Sequence, residues 1–163
     1  MYKVGIVTLS DQGAAGQRQD RSGPMIQSIL PKDTYEIVSY RMLSDDFDGI
    51  GQELMRLSDV ESCHLILTTG GTGCSPRDNT PEATLAVATR EVPGIAEALR
   101  TYSMTITKRA MLSRGVSVIR NQTLIINLPG SPKAVAENLE YLLDTLPHAL
   151  AILTGRESEC AGS

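Results

Sequence analysis

The stretch Leu65–Thr84 (LILTTGGTGCSPRDNTPEAT) constrains the fold of this chain more strongly than any other part of the sequence. It opens with a short apolar run, which predicts a buried strand, and then breaks into Gly70–Gly73, where the backbone can turn sharply and approach a ligand. A charged pair, Arg77–Asp78, leads into Thr80–Glu82, whose residue types favour a helix start with the threonine as its cap. A strand, a glycine loop and a helix N-terminus in this order form a concave site for an anion. The stretch therefore predicts an enzyme that acts on a phosphorylated substrate.

A second junction of the same design follows further along the chain. The β-rich run Thr123–Leu128 ends in Pro129–Gly130, and Ser131 can cap a helix that has Pro132 at its first position. One such junction alone is weak evidence for a function. Two phosphate-binding junctions are what a nucleotide and a second phosphorylated ligand require.

Strand-like and helix-like segments alternate through the chain, which is typical of an α/β fold. Strands are expected at Val4–Leu9, Tyr35–Met42, Leu65–Thr69, Val116–Arg120 and Thr123–Leu128. Helices are expected at Pro24–Leu30, Phe47–Leu57, Thr80–Arg90, Pro93–Met104, Pro132–Leu146 and Pro147–Leu153. Two residues, Asn121–Gln122, separate the last two strands and predict an antiparallel hairpin. The segment Ser10–Gly23 has no regular pattern and is either a functional loop or a flexible surface loop.

Two charged segments outside the junctions have more than one interpretation. Asp45 and Asp46 follow the second strand, where one of them can cap the next helix or supply an oxygen ligand for Mg²⁺ at the carboxyl end of a strand. Lys108–Gly115 concentrates three basic residues in an acidic protein. It is either a solvated basic turn or part of a site for an anion.

Composition argues against several classes of protein. The net charge of −4, the pI of about 5.2, the absence of Trp and the single Phe disfavour a nucleic-acid-binding protein. Cys63, Cys74 and Cys160 form no CxxC pair, so neither a zinc site nor a disulfide framework is expected. The sequence contains no apolar run of the roughly 20 residues that a membrane span needs. We expect a cytoplasmic protein that does not bind membranes, with one domain, residues 1–155, and a flexible tail, residues 156–163.

Several well-known nucleotide and hydrolase motifs are missing from the sequence. Pro76 occupies the third glycine position of a GxGxxG motif, and neither a GxxxxGK[ST] loop nor a GxSxG elbow is present. His64 and His148 are expected in the core or at its edge rather than as ligands. Backbone amides, hydroxyl groups, basic side chains and carboxylates remain, and this set suits phosphoryl or nucleotidyl transfer.

Several linked motifs resemble those of the molybdopterin-binding MogA/MoaB proteins. The resemblance includes the two junctions, at Gly70–Thr84 and Leu124–Pro132, together with Met111–Arg114 and His148–Leu150. It extends over nearly the whole chain. It is strongest for the molybdopterin adenylyltransferase branch of the family, which comprises bacterial MogA and the G domains of plant and animal molybdenum-insertion proteins.

The resemblance implies a three-layer α/β/α sandwich whose mostly parallel mixed sheet contains one antiparallel strand. It also implies a homotrimer that transfers AMP from Mg-ATP to the terminal phosphate of molybdopterin and releases pyrophosphate. ATP and molybdopterin are then the substrates, Mg²⁺ is the cofactor, and a molybdenum-insertion protein is a candidate partner. The alternatives on the same fold are a non-catalytic, MoaB-like carrier of molybdopterin and a component of metal insertion.

The resemblance also implies roles for individual residues. Asp45 and Asp78 are the candidate catalytic residues and the candidate ligands of Mg²⁺. Contacts to phosphate, pterin or nucleotide are expected from a larger set: Ser10, Asp11, Gly70, Gly71, Thr72, Gly73, Arg77, Ser113, Arg114, Pro129, Gly130 and Ser131.

Overall fold

In the computed structural model, which describes residues 1–157, strands and helices alternate along the chain. The strands are β1 (Tyr2–Leu9), β2 (Tyr35–Leu43), β3 (Leu65–Thr69), β4 (Arg90–Glu91), β5 (Ser117–Arg120) and β6 (Thr123–Leu128). The helices are α1 (Asp11–Ala14), α2 (Ser22–Ile29), α3 (Phe47–Met55), α4 (Thr80–Val87), α5 (Pro93–Met104), α6 (Pro132–Leu142) and α7 (Leu146–Leu153). A π-helical turn, Arg56–Val60, extends α3, and a 3₁₀ turn, Lys108–Leu112, precedes β5.

Within residues 1–157 the strands form one six-stranded sheet in the order β2-β1-β3-β6-β5-β4. β1, β2, β3 and β6 are parallel, whereas β5 runs antiparallel to both of its neighbours. The predicted hairpin and the mostly parallel mixed sheet with an antiparallel strand are therefore confirmed. Because β2 lies on one side of β1 and β3 on the other, the topological switch point of the sheet lies between β1 and β3. Open α/β sheets bind ligands at this point.

Helices cover both faces of the sheet, as the three-layer prediction requires. On one face α2, α5, α6 and α7 pack against the sheet, and Leu67 of β3 belongs to that core. On the other face α3 and α4 pack against the sheet. Ile66, which precedes Leu67 in β3, points to this face and belongs to the second core. Successive strand residues point to opposite faces, so β3 and β6, which are covered on both faces, are buried at every position.

The segment Ser10–Gly23 is more regular than its sequence predicts. It contains α1, and α2 begins at Ser22 rather than at the predicted Pro24. The carboxylate of Asp20 accepts hydrogen bonds of 3.0 and 3.1 Å from the N–H groups of Ser22 and Gly23. Asp20 thus supplies acceptors for the first turn of α2, whose free N–H groups need partners.

The predicted helix Thr80–Arg90 is shorter in the structure. α4 ends at Val87, and Arg90 pairs with Ile119 of β5 as part of the edge strand β4. This pairing joins residues that are distant in the sequence, which is why helical periodicity does not reveal it.

The predicted tail, residues 156–163, lies mostly outside the described residues, as does Cys160. Cys63 is buried, Cys74 is exposed, and both are free thiols. Every helix within residues 1–157 is too short or too polar to span a lipid bilayer.

Candidate functional site

The two strand–loop–helix junctions lie side by side at the carboxyl edge of the sheet. Thr69 and Leu128, the last residues of β3 and β6, are register partners, so both loops leave the sheet at the same level. The hydroxyl group of Thr69 donates a hydrogen bond of 2.7 Å to the carbonyl oxygen of Pro129. A Cβ placed on Gly130 would lie 3.5 Å from the Cα of Gly70. The two junctions therefore form a single cleft.

The glycine loop after β3 requires glycine at its first two positions. The φ angles of Gly70 and Gly71 are +93° and +68°, in a region that other residues rarely adopt. A Cβ on Gly70 would collide with the carbonyl oxygen of Leu9, and one on Gly71 would collide with the hydroxyl oxygen of Thr80. The loop thus turns back over the end of β1 and packs against the start of α4.

The helices that follow the two junctions begin differently. The N-cap of α4 is Asn79, which makes no side-chain capping bond, so the prediction that Thr80 caps this helix is wrong. The Thr80 hydroxyl donates instead to the carbonyl oxygen of Gly70, at 2.9 Å, because the loop folds directly above it. Ser131 caps α6 as predicted, since its hydroxyl oxygen accepts a hydrogen bond of 3.2 Å from the N–H of Ala134.

The adjacent aspartates after β2 differ in role. Asp46 caps α3 by accepting a hydrogen bond of 2.8 Å from the N–H of Gly49. Asp45 is only 9% exposed, and its Oδ2 accepts a hydrogen bond of 3.1 Å from the N–H of Asp11. Its Oδ1 has no hydrogen-bond partner among the described residues and lies 2.9 Å from the position of a Cβ on Gly71. Asp46 is therefore the cap, and Asp45 faces the glycine loop.

The surroundings of Asp45 suit a role as a metal ligand. Burial raises the pKa of its carboxyl group, and the nearby charges of Asp11 and Asp78 act in the same direction. A buried carboxylate oxygen without a protein partner is a suitable ligand for Mg²⁺, which usually combines one or two carboxylates with phosphate oxygens and water. Residues 1–157 contain no group of three His, Cys, Asp or Glu side chains that could hold a metal ion. Magnesium at this site would therefore also need oxygen ligands from a bound nucleotide.

Asp78 is held against the glycine loop by its own backbone surroundings. Its Oδ2 accepts a hydrogen bond of 3.0 Å from the N–H of Ser75, and its N–H donates to the Ser75 carbonyl at 2.9 Å. A Cβ on Gly73 would lie 2.9 Å from the same carboxylate oxygen. Asp78 and Asp45 thus approach the glycine loop from opposite ends, close enough for one charge to affect the other.

Asp11 and Arg77, both predicted to contact substrate, bind each other in this structure. The Nε and Nη2 atoms of Arg77 donate hydrogen bonds of 3.0 and 2.9 Å to the two carboxylate oxygens of Asp11. These bonds lower the pKa of the Asp11 carboxyl group and raise the pKa of the Arg77 guanidinium group. Asp11 Oδ1 also accepts a hydrogen bond of 3.0 Å from the N–H of Asp45.

Arg114 supports the backbone of the glycine loop. Its N–H donates to the carbonyl oxygen of Thr72 at 2.8 Å, and its Nε and Nη2 donate to the carbonyl oxygens of Gly73 and Asp78, each at 2.7 Å. It also forms an ion pair with Glu82 in the first turn of α4. The guanidinium group of Arg114 is thus bound to protein, and the predicted substrate contacts of Arg114 and Thr72 stay predictions.

Two cavities open on either side of the Pro129–Gly130 turn. The switch-point cavity, of about 560 Å³, is lined by four of the predicted residues: Ser10, Gly70, Gly130 and Ser131. The α5–α6 cavity, of about 240 Å³, lies between these two helices and the 3₁₀ turn, and it is lined by the predicted residues Ser113 and Pro129. The other predicted residues, Asp45 and Asp78 among them, line neither cavity and surround the adjacent glycine loop.

Sequence reasoning missed several polar residues of the cavities. Arg18, Asp20 and Arg21 line the switch-point cavity, and Arg100 and Asn138 line the α5–α6 cavity. The sequence does point to Arg18, Asp20 and Arg21, because charged residues in a long loop after a strand often belong to a site. Arg100 and Asn138 lie on helices, where the sequence pattern does not distinguish a polar residue that lines a cavity from one that faces solvent.

The comparison with known families agrees with this geometry. Residues 5–148 match the family described as a probable molybdopterin binding domain. The match covers most of the chain, and the chain belongs to this family.

Curated relatives match nearly the full length of the chain. The molybdopterin adenylyltransferase of Haemophilus influenzae is 46% identical, and the match covers 88% of this chain and 74% of the relative. The molybdopterin adenylyltransferase of Escherichia coli K12 is 41% identical, with 98% of this chain and 89% of the relative covered.

Solved structures share the fold. The molybdopterin biosynthesis enzyme MoaB from Thermus thermophilus superimposes with a TM-score of 0.91 at 46% identity, covering 98% of this chain and all of its own. The Mog protein from Mycobacterium ulcerans has a TM-score of 0.88 at 36% identity, covering 94% of this chain and 99% of its own. The α/β fold is the fold of these proteins.

Proposed function

We propose that this protein is a molybdopterin adenylyltransferase, which transfers AMP from ATP to the terminal phosphate of molybdopterin and releases pyrophosphate. The observation that carries the proposal is the pair of cavities on either side of Pro129–Gly130, next to a glycine loop with two carboxylates. Two substrates can bind there together and bring their phosphates to one set of backbone amides. The adenylyltransferases of two bacteria, at 46% and 41% identity, support the same reaction.

The switch-point cavity is the proposed site of ATP. Arg18 and Arg21 line it, and their guanidinium groups suit the charge and shape of a polyphosphate. The α5–α6 cavity is the proposed site of the pterin. It combines apolar walls, such as Leu99, with the polar side chains of Arg100 and Asn138, as expected for a flat heteroaromatic ligand.

The proposed reaction is a displacement at the α-phosphorus of ATP. An oxygen of the molybdopterin phosphate forms a bond to this phosphorus, and the bond to the oxygen that bridges to the β-phosphate breaks. That oxygen and its electron pair leave with pyrophosphate. The amides of Gly70–Gly73 and the side chains of Arg18 and Arg21 are placed to offset the negative charge of the reacting groups.

Asp45 and Asp78 are the residues that would hold Mg²⁺ with the nucleotide. The fit rests on the unpartnered, buried Oδ1 of Asp45 and on the carboxylate of Asp78 at the other end of the glycine loop. When bound, Mg²⁺ neutralises part of the polyphosphate charge and orients it.

The proposal includes a homotrimer of single domains, residues 1–155, in the cytoplasm, where ATP is available. Exposed apolar side chains in the 3₁₀ turn support an interface, since Met111 and Leu112 are 59% and 57% exposed. Sedimentation should give three times the chain mass of 17.6 kDa. A monomer would contradict this assembly. The adenylylated product would pass to a molybdenum-insertion protein.

A non-catalytic carrier of molybdopterin is the second candidate function. It is supported by the description of the matching family, which names molybdopterin binding and no reaction. Metal insertion is a more distant third candidate. An assay of pyrophosphate release with ATP, Mg²⁺ and molybdopterin separates the first two functions. The adenylyltransferase releases pyrophosphate only when molybdopterin is present, whereas a carrier binds molybdopterin and releases none.

Replacement of Asp78 by Asn tests the assignment of the carboxylate. Asp78→Asn should fold and bind molybdopterin, because the amide oxygen can still accept the Ser75 N–H. AMP transfer should fall by about 10²-fold, the scale of a lost electrostatic group. Glu36→Gln, a charge change on the exposed part of β2, is the matched control. Normal turnover in Asp78→Asn would refute the role.

Asp45→Asn tests the second carboxylate through its metal requirement. If Asp45 is a ligand, this variant should need a higher Mg²⁺ concentration for half-maximal pyrophosphate release, because an amide oxygen is a weaker ligand than a carboxylate. An unchanged Mg²⁺ requirement would contradict the assignment.

A further inference from the structure

We propose that Asp11 is a positioning residue: held by Arg77, it fixes Asp45 against the glycine loop and does not itself contact a substrate. The inference rests on the proposed function, because Asp45 is one of the two carboxylates on which that function depends. It gives Asp11 and Arg77 a different role from the substrate contacts that the family resemblance implies.

Asp11 and Asp45 hold each other through a closed pair of hydrogen bonds. The N–H of Asp11 donates to Oδ2 of Asp45 at 3.1 Å, and the N–H of Asp45 donates to Oδ1 of Asp11 at 3.0 Å. Each carboxylate is thus bound to the backbone of the other loop. A third bond, from Nδ2 of Asn79 to the carbonyl oxygen of Asp45 at 3.0 Å, ties the same residue to the start of α4.

This arrangement fixes the orientation of the Asp45 carboxylate. With Oδ2 bound to the Asp11 N–H, the other oxygen, Oδ1, is left beside Gly71 without a hydrogen-bond partner in the described chain. A buried polar atom without a partner is costly in a folded protein. The unpartnered Oδ1 of Asp45 is explained if a ligand binds to it. Asp11 then determines where this oxygen points.

Arg77 fixes Asp11 in turn from the loop after β3. Its Nε and Nη2 bind both oxygens of Asp11, and such a two-point contact adds orientation as well as attraction. The two side chains are 61% and 41% exposed, and exposed ion pairs contribute little to stability. The chain of contacts from Arg77 to Asp11 to Asp45 therefore joins the loops after β1, β2 and β3 and serves geometry more than stability.

A direct substrate role fits these two residues less well. Both oxygens of Asp11 are occupied by Arg77 and the Asp45 N–H, and a carboxylate repels a phosphate. Two nitrogens of Arg77 are occupied by Asp11, so they would have to leave it before binding a phosphate.

A double-mutant cycle on AMP transfer separates the two roles. We expect kcat to fall by about 10²-fold in Asp11→Ala and about 10-fold in Arg77→Gln, as small misplacements of a reacting group do, while both KM values stay within about twofold. Asp11→Asn, which retains an acceptor for the Asp45 N–H, should recover part of the loss. The double variant should be no slower than Asp11→Ala, because Arg77 acts only through Asp11. If the kcat losses of the two single variants multiply in the double variant, the proposal is overturned. A tenfold rise in the KM for ATP or for molybdopterin in Arg77→Gln would also overturn it.

Amide hydrogen exchange measured by NMR provides a readout that needs no substrate. The Asp45 N–H should exchange at least roughly tenfold faster in Asp11→Ala, which removes its charged acceptor, and to a smaller extent in Arg77→Gln. Glu36→Gln should leave the exchange rate unchanged. Unchanged exchange in Asp11→Ala and Arg77→Gln would refute the positioning role. If the variants show these exchange rates but the wild-type protein transfers no AMP, the proposed function fails and the positioning role stands.

A stability measurement distinguishes positioning from a purely structural role. The thermal unfolding midpoint of Arg77→Gln should stay within about 2 °C of wild type, because the ion pair is exposed. A large drop in the midpoint that parallels the loss of kcat would assign Arg77 a structural role and contradict the proposal.

Discussion

The two junctions of the cleft share a sequence design but differ in geometry. After β3, Gly70 and Gly71 adopt positive φ angles, and α4 begins without a side-chain cap. After β6, Gly130 has no positive φ and a Cβ on it would make only an ordinary contact, at 3.5 Å, while Ser131 caps α6. The same sequence design, a strand, a glycine turn and a helix with Pro at its start, thus produces one loop that only glycine can form and one regular helix start.

The difference shows where the site depends on glycine. The loop after β3 must turn over the end of β1, and this turn brings it next to the carboxylates of Asp45 and Asp78. Its positive φ angles are accessible to glycine and costly for other residues, so this loop depends on glycine at both positions. The turn after β6 instead separates the two cavities. In the proposed function, the first junction carries the chemistry and the second separates the two substrates.

The largest expected effect is the loss of stability in Gly70→Ala. The new methyl group would meet the Leu9 carbonyl oxygen at a φ that alanine rarely adopts. We expect a loss of about 3 kcal/mol or more in the free energy of unfolding, from backbone strain and overpacking together. Urea denaturation measures it.

Gly130→Ala is the matched control for this experiment. Its methyl group has space, so the free energy of unfolding should change by less than about 0.5 kcal/mol. Equal losses in the two alanine variants would show that the junctions do not differ in strain.

A smaller effect is expected when the hydroxyl group above the glycine loop is removed. Thr80 is fully buried, and Thr80→Val keeps its volume but removes the hydrogen bond to the Gly70 carbonyl. The free energy of unfolding should fall by about 1–3 kcal/mol, the cost of an unpaired buried acceptor. If the variant is as stable as wild type, this bond does not hold the glycine loop.

The smallest effect is expected at the cap of the second junction. Ser131→Ala removes the acceptor for the Ala134 N–H and should lower the free energy of unfolding by about 1 kcal/mol. Since Asp45 and Asp78 lie beside the glycine loop of the other junction, kcat for AMP transfer should change little at saturating ATP. A loss of kcat comparable to that of Asp78→Asn would place Ser131 in the chemistry and contradict its role as a cap.

The parts of the fold that the sequence predicts well are those with local signals. The bounds of β3, β6 and α5 agree with the prediction, because apolar runs flanked by glycine or proline define their ends. The hairpin between β5 and β6 follows from its two-residue turn. Ser131 is recognised as a cap by the proline that follows it.

The contacts that complete the site depend on distant parts of the chain. Whether Asp45 or Asp46 caps α3 is decided by the backbone at that turn, which residue type alone does not specify. The bond between Asp11 and Asp45 joins loops 34 residues apart. Thr80 could cap a helix in isolation, but tertiary packing directs its hydroxyl to Gly70. Local pattern therefore identifies the loops, and only the fold assigns their side chains to partners.

The central claim, a two-substrate cleft for adenylyl transfer, is tested most directly by isotopic labelling. The protein is incubated with molybdopterin, Mg²⁺ and ATP labelled either at the α-phosphate or at the γ-phosphate, and the pterin product is isolated. We predict that the α-label appears in the pterin product and the γ-label appears in pyrophosphate. A γ-label in the pterin product would indicate phosphoryl transfer, and an unlabelled pterin that remains bound would indicate a carrier; either result would contradict the account.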